Sequence, residues 1–324
     1  MENVSGALLQ LEGLSLPHSS VLPVFCCILL SYVLMMLMNL GNSVLILKER
    51  SLHQPMYLLL CNLCINDIIG GTHVIPPLLF NMLRAPEEHL ISYSACVTQA
   101  FVSHLFGTTS HTILMIMAFD RYVAICNPLH YSTIMSGRML VKLMAFAWGV
   151  ALVLVSVLIG LSVRLSRCRS VVTNPYCDNA SLFKLSCEST LINNVYGLLF
   201  TALLLSASIG STLLTYLRIT LVCLRRHSSS LNRRALQTCS THLLVYLLLL
   251  LSGVVVITLH RFPEYTHHRK MTAVILFTGP GTVNPIIYGV QCRDIRCFIF
   301  VLVLSYYYIP RFHFGLVEQG LLLV

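Results

Sequence analysis

The chain has 324 residues, 56% of them hydrophobic and only 10% charged. Its mean hydropathy of +0.79 is far too apolar for a soluble domain of this length, so much of the surface must face lipid. The net charge of +9 therefore reads as a membrane topology signal, suited to anionic lipid and an intracellular partner and not to nucleic acid.

Residues 1–20 are expected to form an extracellular N-terminus. They hold no basic stretch followed by a compact apolar segment and a small-residue cleavage site, so no cleaved signal peptide is expected and the first span must target the chain. Asn3-Val4-Ser5 is a glycosylation sequon in this segment. Windows long enough to cross about 30 Å of hydrocarbon predict seven spans, at 21–47, 56–83, 94–125, 139–163, 191–224, 235–260 and 271–290. The expected fold is an all-α seven-helix membrane bundle over 21–290, followed by a cytoplasmic segment, 291–324, expected to lie along the membrane because 297–305 is apolar. Of the 21 basic residues, 13 fall on one set of loops and the tail, including Arg121, Arg225, Arg226, Arg233 and Arg234, and 8 on the other, which also carries seven acids. The richer side should face the cytoplasm, placing the N-terminus outside at the plasma membrane.

Polar residues inside predicted spans are functional candidates, because lipid penalises them. Asn42 follows Gly41 in the first span, Asp67 lies in the second, and Asn284 precedes Pro285 in the seventh; one buried network joining these helices would satisfy all three. Pro285 removes a backbone hydrogen bond and Tyr288 follows on nearly the same face, so the helix end can bend and carry a ring. Asp120 and Arg121 sit together where the third span leaves the bilayer, each neutralising the other until a partner competes for the arginine. The paired Pro76-Pro77 should shape the second helix. Cys61-x-x-Cys64 reads as two small packing residues in an apolar helix. Cys96, Cys168, Cys177 and Cys187 fall outside, where disulfides persist, and four cysteines allow three pairings.

Gly41-Asn42, Asp67, Asp120-Arg121-Tyr122, Trp148 and Asn284-Pro285-x-x-Tyr288 resemble, in order, the signature of rhodopsin-like G-protein-coupled receptors. Pro55-Met56-Tyr57, Met117 to Cys126 with Asn127-Pro128-Leu129-His130-Tyr131, Ile134-Met135-Ser136, Arg234 to Leu243, and Pro285-Ile286-Ile287-Tyr288-Gly289 resemble the narrower family of odorant receptors. Leu259-His260-Arg261-Phe262 and Tyr288-Gly289 are similar to its class I, fish-like branch.

The resemblance implies a small-molecule odorant outside and a heterotrimeric G protein inside, with Arg121 receiving the G protein; Arg233, Arg234 and His242 lie near that opening and could support the same contact, or, in a basic loop beside a membrane, serve only as a topology signal. It implies the pairings Cys96 with Cys177 and Cys168 with Cys187. The ligand set it implies is Ser103, His104 and Gly107 on the third helix, Asn179 in the second outer loop, and Arg261, which in class I receptors holds acidic ligands through a two-pronged guanidinium contact. Ser103 stands where amine receptors carry their acidic anchor. Asn179-Ala180-Ser181 is also a sequon, and a glycan there conflicts with facing a ligand. Asp67 is a candidate sodium site; no other cofactor is expected.

Three features depart from the family. Leu247 to Leu251 replaces its aromatic pair, which questions the usual coupling of ligand to the sixth helix. Ser110 stands where many members carry a glutamate near Asp67, and the tail ends in apolar residues around Tyr306-Tyr307-Tyr308. No lysine in the seventh span could hold retinal, no internal repeat suggests a transporter, and no His-Glu-x-x-His suggests a zinc protease. The nearest alternative to an odorant receptor is a non-olfactory receptor of the same class for a lipid or peptide.

Overall fold

The computed structural model describes residues 8–14, 16–225, 229–259 and 262–291. Seven long helices run through them: α1 (His18–Lys48), α2 (Pro55–Met82), α3 (Tyr93–Cys126), α4 (Gly137–Val163), α5 (Leu191–Arg225), α6 (Ser229–Leu259) and α7 (Thr266–Gln291). Local chemistry sets their starts. Pro55 opens α2, where its missing N–H costs nothing. Ser92 and Ser136 cap α3 and α4 by accepting the amide protons of Ala95 and Met139. Five helices are individually long and apolar enough to cross a membrane, and α3 qualifies together with the sharply bent segment after it. The remaining one, α7, is less apolar because it carries Thr278, Pro280, Asn284 and Pro285, the polar ones buried. Leu30, Leu37, Phe146, Leu203 and Leu213 each expose about two-thirds of their surface; with no water-soluble reason for such exposure, these faces are lipid-facing.

Helix α3 is the axis, packing against α2, α4, α5 and α6, while α1 and α7 close the ring. Gly281 permits the α1–α7 closure: a Cβ there would stand 2.9 Å from Met35 Sδ and 3.4 Å from the Asp67 side chain, and its carbonyl accepts from Asn39 Nδ2 at 2.6 Å. One apolar cluster, including Ile46, Leu59, Leu63, Ile113, Met117 and Tyr246, fills the bundle toward the Asp120 end. Two others fill the opposite end around Cys96–Cys177 and around Phe106 and Phe277.

That opposite end carries a small sheet that the sequence reading, which treated 1–20 as a simple extracellular segment, did not anticipate. β1 (Leu8–Leu11) pairs antiparallel with β2 (Leu90–Ser92) and parallel with β3 (Val171–Val172). Leu9 and Leu11 point into the bundle while Leu8 and Gln10 face out, the two-residue alternation of a half-buried strand. Gly13 then turns the chain at φ +68°, a left-handed conformation natural to glycine, and Glu12 reaches Lys270 at 3.4 Å. The disulfides Cys96–Cys177 and Cys168–Cys187 hold the α4–α5 loop over the same end. Ser166 donates its amide and its hydroxyl to Glu188, which holds that exposed carboxyl below the usual carboxylate range.

Candidate functional site: a lidded cavity, a polar core and an ion pair

Beneath the loop lies a cavity of about 480 Å³, within the range of small-molecule sites. Helix α3 contributes Ser103, His104, Gly107 and His111, the loop Tyr176, Asp178 and Asn179, and α5, α6 and α7 complete the wall with groups such as Asn193, Leu249 and Phe277. A Cβ on Gly107 would meet nothing within 4 Å, so this glycine leaves room and not a close approach. Four of the five ligand candidates thus share one cavity. The fifth, Arg261, lies outside the described residues. Lys184 also lines the rim and is exposed.

Asn179 is built into the wall. Its amide proton goes to His104 Nε2 at 3.1 Å, and its Oδ1 accepts from Ser162 Oγ at 2.6 Å; Asn193 Nδ2 donates to the same hydroxyl at 3.1 Å. With 5% of its surface exposed, Asn179 has no room for a glycan, so of its two expected uses the fold accommodates only the inward one. The loop end is set by Asp178, which caps the short helix Asn179–Phe183 through Ser181 N at 2.7 Å. Gln99 holds the lid to α3 and α2, accepting from Cys177 N and donating to His73 O, both at 2.8 Å. The sequon at Asn3 lies outside the described residues.

The polar core is shared between helices. Asn284 Nδ2 donates to Asp67 Oδ2 at 3.1 Å and Asn42 Nδ2 reaches Pro285 O at 3.5 Å, so Asn42, Asp67 and Asn284 meet through α7. Ser110 is near but differently engaged. It accepts from Asn66 Nδ2 and donates to Phe106 O, both at 2.8 Å, so its partner on α2 is Asn66 and not Asp67. Cys61 and Cys64 are buried in the surrounding apolar cluster. Tyr288 lies on α7, and its side chain is outside the described part.

At the far end of α3, Arg121 is paired with Asp120: its Nε donates to Oδ2 at 3.0 Å and an NH2 group reaches the same oxygen. Asp120 is fully buried and its second oxygen accepts from Tyr131 Oη at 2.7 Å. Tyr131 belongs to the short helix Tyr131–Ile134, folded back by a 114° bend. Tyr122 stacks on Phe119 with centroids 6.4 Å apart. His242, expected beside a partner protein, is instead wholly buried. Its Nδ1 meets Tyr216 Oη at 2.6 Å and its Nε2 lies 3.1 Å from Leu114 O, so it ties α6 to α5 and α3. The side chains of Arg233 and Arg234 and the tail 292–324 lie outside the described residues.

Sequence reading noted Tyr131 only as part of a motif and gave it no role, and it missed Tyr216 and a trio at the cavity floor, where His111 Nδ1 lies 3.1 Å from Ser208 Oγ and Ser208 donates to Tyr246 Oη at 3.1 Å. The leucine run Leu247 to Leu251 mostly faces outward, and the polar tie of α6 to the cavity floor comes from the residue before it. A tyrosine and a histidine inside apolar helices were the available signal.

The pattern of a lidded cavity, a shared polar core and an acid–arginine pair on one axial helix agrees with comparisons to known proteins. The family description "Olfactory receptor" matches residues 25–306. Human olfactory receptor 52K1 is 31% identical over 91% of this chain and 93% of its own length. Mouse olfactory receptor 1E16 is 34% identical over 88% of this chain and 91% of its own, and human olfactory receptor 4E1 is 33% identical over 89% and 90%. The chain therefore belongs to the olfactory receptor family, rhodopsin-like seven-helix membrane receptors that are not enzymes.

Proposed function

We propose that the chain is an odorant receptor of the cAMP-raising type, binding a small organic molecule in the lidded cavity from outside and activating a heterotrimeric G protein at the Asp120 end. The observation that carries this is that α3 alone supplies both ends: cavity residues 103–111 at one and the Asp120–Arg121 pair at the other. A ligand that shifts α3 against α5 and α6 changes the surroundings of that pair, and opening there frees Arg121 for the partner. The excess of basic residues on the Asp120 side supports a cytoplasmic location for it and an extracellular N-terminus. A sodium ion suits Asp67, since the nearby Oδ1 atoms of Asn39 and Asn284 are buried without hydrogen-bond partners and are hard oxygen donors of the kind alkali ions take.

In the class I reading, Arg261 grips a carboxylate-bearing ligand. The test is a cAMP reporter in cells carrying the receptor, screened with carboxylic acids, their methyl esters, amines, amino acids and neutral odorants. Ligand-driven cAMP that disappears in Arg121→Ala at normal surface level is the expected result. Responses surviving in that variant would remove the coupling assignment, and equal potency of acids and esters would remove the acid reading.

A further inference from the structure

We infer that the floor of the cavity selects ligands carrying a hydrogen-bond donor, an alcohol or phenol hydroxyl above all, and that Nε2 of His111 is the atom that receives it. The inference rests on the reading of the cavity as the ligand site.

His111 lines the cavity and is fixed on its far side. Nδ1 lies 3.1 Å from Ser208 Oγ, and the Ser208 hydroxyl spends its single proton on Tyr246 Oη. The proton in the first contact therefore comes from the ring: Nδ1–H donates to Ser208. A neutral imidazole protonated at Nδ1 carries its lone pair on Nε2. Among the described residues nothing bonds Nε2, yet it is not among the polar atoms sealed from accessible space. The space His111 borders is the cavity. The Tyr246 ring stands edge-on at 6.2 Å between centroids, fixing the plane of the imidazole, and Leu249 and Phe277 nearby offer only apolar surface.

A ligand ending in O–H can thus complete a four-member chain from its own hydroxyl through His111 and Ser208 to Tyr246 on α6. Each bond polarises the next. An ether, an aldehyde or a carboxylate presents only acceptors to that lone pair and leaves it unsatisfied.

The experiment uses the full-length receptor with an N-terminal epitope, surface staining and a cAMP reporter. The probes are straight-chain primary alcohols of six to ten carbons, each beside its methyl ether, aldehyde and carboxylic acid. The expected result is that at least one alcohol activates and that its ether is weaker by about tenfold or more, the loss of one good hydrogen bond. His111→Phe at normal surface level should erase the alcohol-over-ether preference, His111→Leu serving if the phenylalanine does not reach the surface. His111→Gln, which restores an acceptor near Nε2, should keep part of it. Ethers matching alcohols on the wild type, or a preference surviving in the Phe or Leu variant, overturns the inference. Activation by acids or aldehydes alone overturns it while leaving the odorant-receptor reading intact. Silence toward all four classes counts against both.

Discussion

Both carboxylate oxygens of Asp120 are taken in this structure, one by Arg121 and one by the Tyr131 hydroxyl at 2.7 Å. A hydrogen bond to a charged group is worth about 1.5–3 kcal/mol. If the open state lacks it, Tyr131→Phe should raise ligand-independent cAMP by shifting the equilibrium roughly tenfold or more toward the open form; unchanged basal signalling at equal surface level would show that Tyr131 only packs. Asp120→Asn should act in the same direction, and Arg121→Ala should reach the surface and lose G-protein activation. Arg261 is the residue on which the acid reading depends. Truncating one partner of a desolvated charge pair costs about 2–5 kcal/mol, so Arg261→Ala should weaken an acidic agonist by roughly 30-fold or more, Arg261→Lys should recover part, and neutral agonists should change little. Dose-response curves for each acid and its methyl ester on wild type and variant decide this. Asp120–Arg121 was legible in sequence because an acid and a base together at the end of an apolar run are conspicuous. Tyr131 was not, because its role depends on a sharp bend that brings residue 131 back to residue 120.

Among the elements, the seven helices were readable because lipid demands long apolar stretches with every backbone group bonded internally; five predicted spans begin and end within three residues of an observed helix, while α6 and α7 begin six and five residues before the predicted 235 and 271. The strand β1 was not readable. Four residues of mixed apolar character carry no strand signal until β2 and β3 flank them, and their two partners lie about 80 and 160 positions away along the chain. Since Leu9 and Leu11 are almost fully buried against the cluster around Cys96–Cys177, Leu9→Asp should cut surface expression or agonist potency severely, whereas Leu8→Asp on the exposed face should be tolerated. Surface staining and dose-response curves compare them directly. Cys96→Ser or Cys177→Ser should likewise abolish surface expression or signalling, because the bond closes a loop spanning 81 positions and anchors the lid to α3. Cys61→Ser, in a packed helix with no bridge, should do little.

Across the whole molecule, three hydrogen-bonded ties cross between helices at successive depths along α3: His104 with Asn179 at the lid, His111 with Ser208 and Tyr246 at the cavity floor, and the Leu114 carbonyl with His242 and Tyr216 toward the ion pair. The last joins α3, α5 and α6 where an intracellular partner would need them to separate. His242→Ala should therefore raise basal cAMP while leaving agonist rank order unchanged, and a fall in surface level to zero in both His242→Ala and His242→Gln would assign the residue to folding alone. The sequence by itself determined the membrane setting, the helix count, the Asp120–Arg121 pair, the polar positions 42, 67 and 284, and the family. These are properties of composition, hydrophobic period and local motif, each carried by residues close together in the chain. Tertiary structure alone decided which polar side chains meet. It turned Asn179 inward as a wall residue, gave Ser110 to Asn66, buried His242 as a tie between helices, and tied α6 to the cavity floor through Tyr246. Such partners depend on the rotation of each helix about its axis, where neighbouring residues differ by about 100°. That rotation is fixed by packing against other helices distant in sequence.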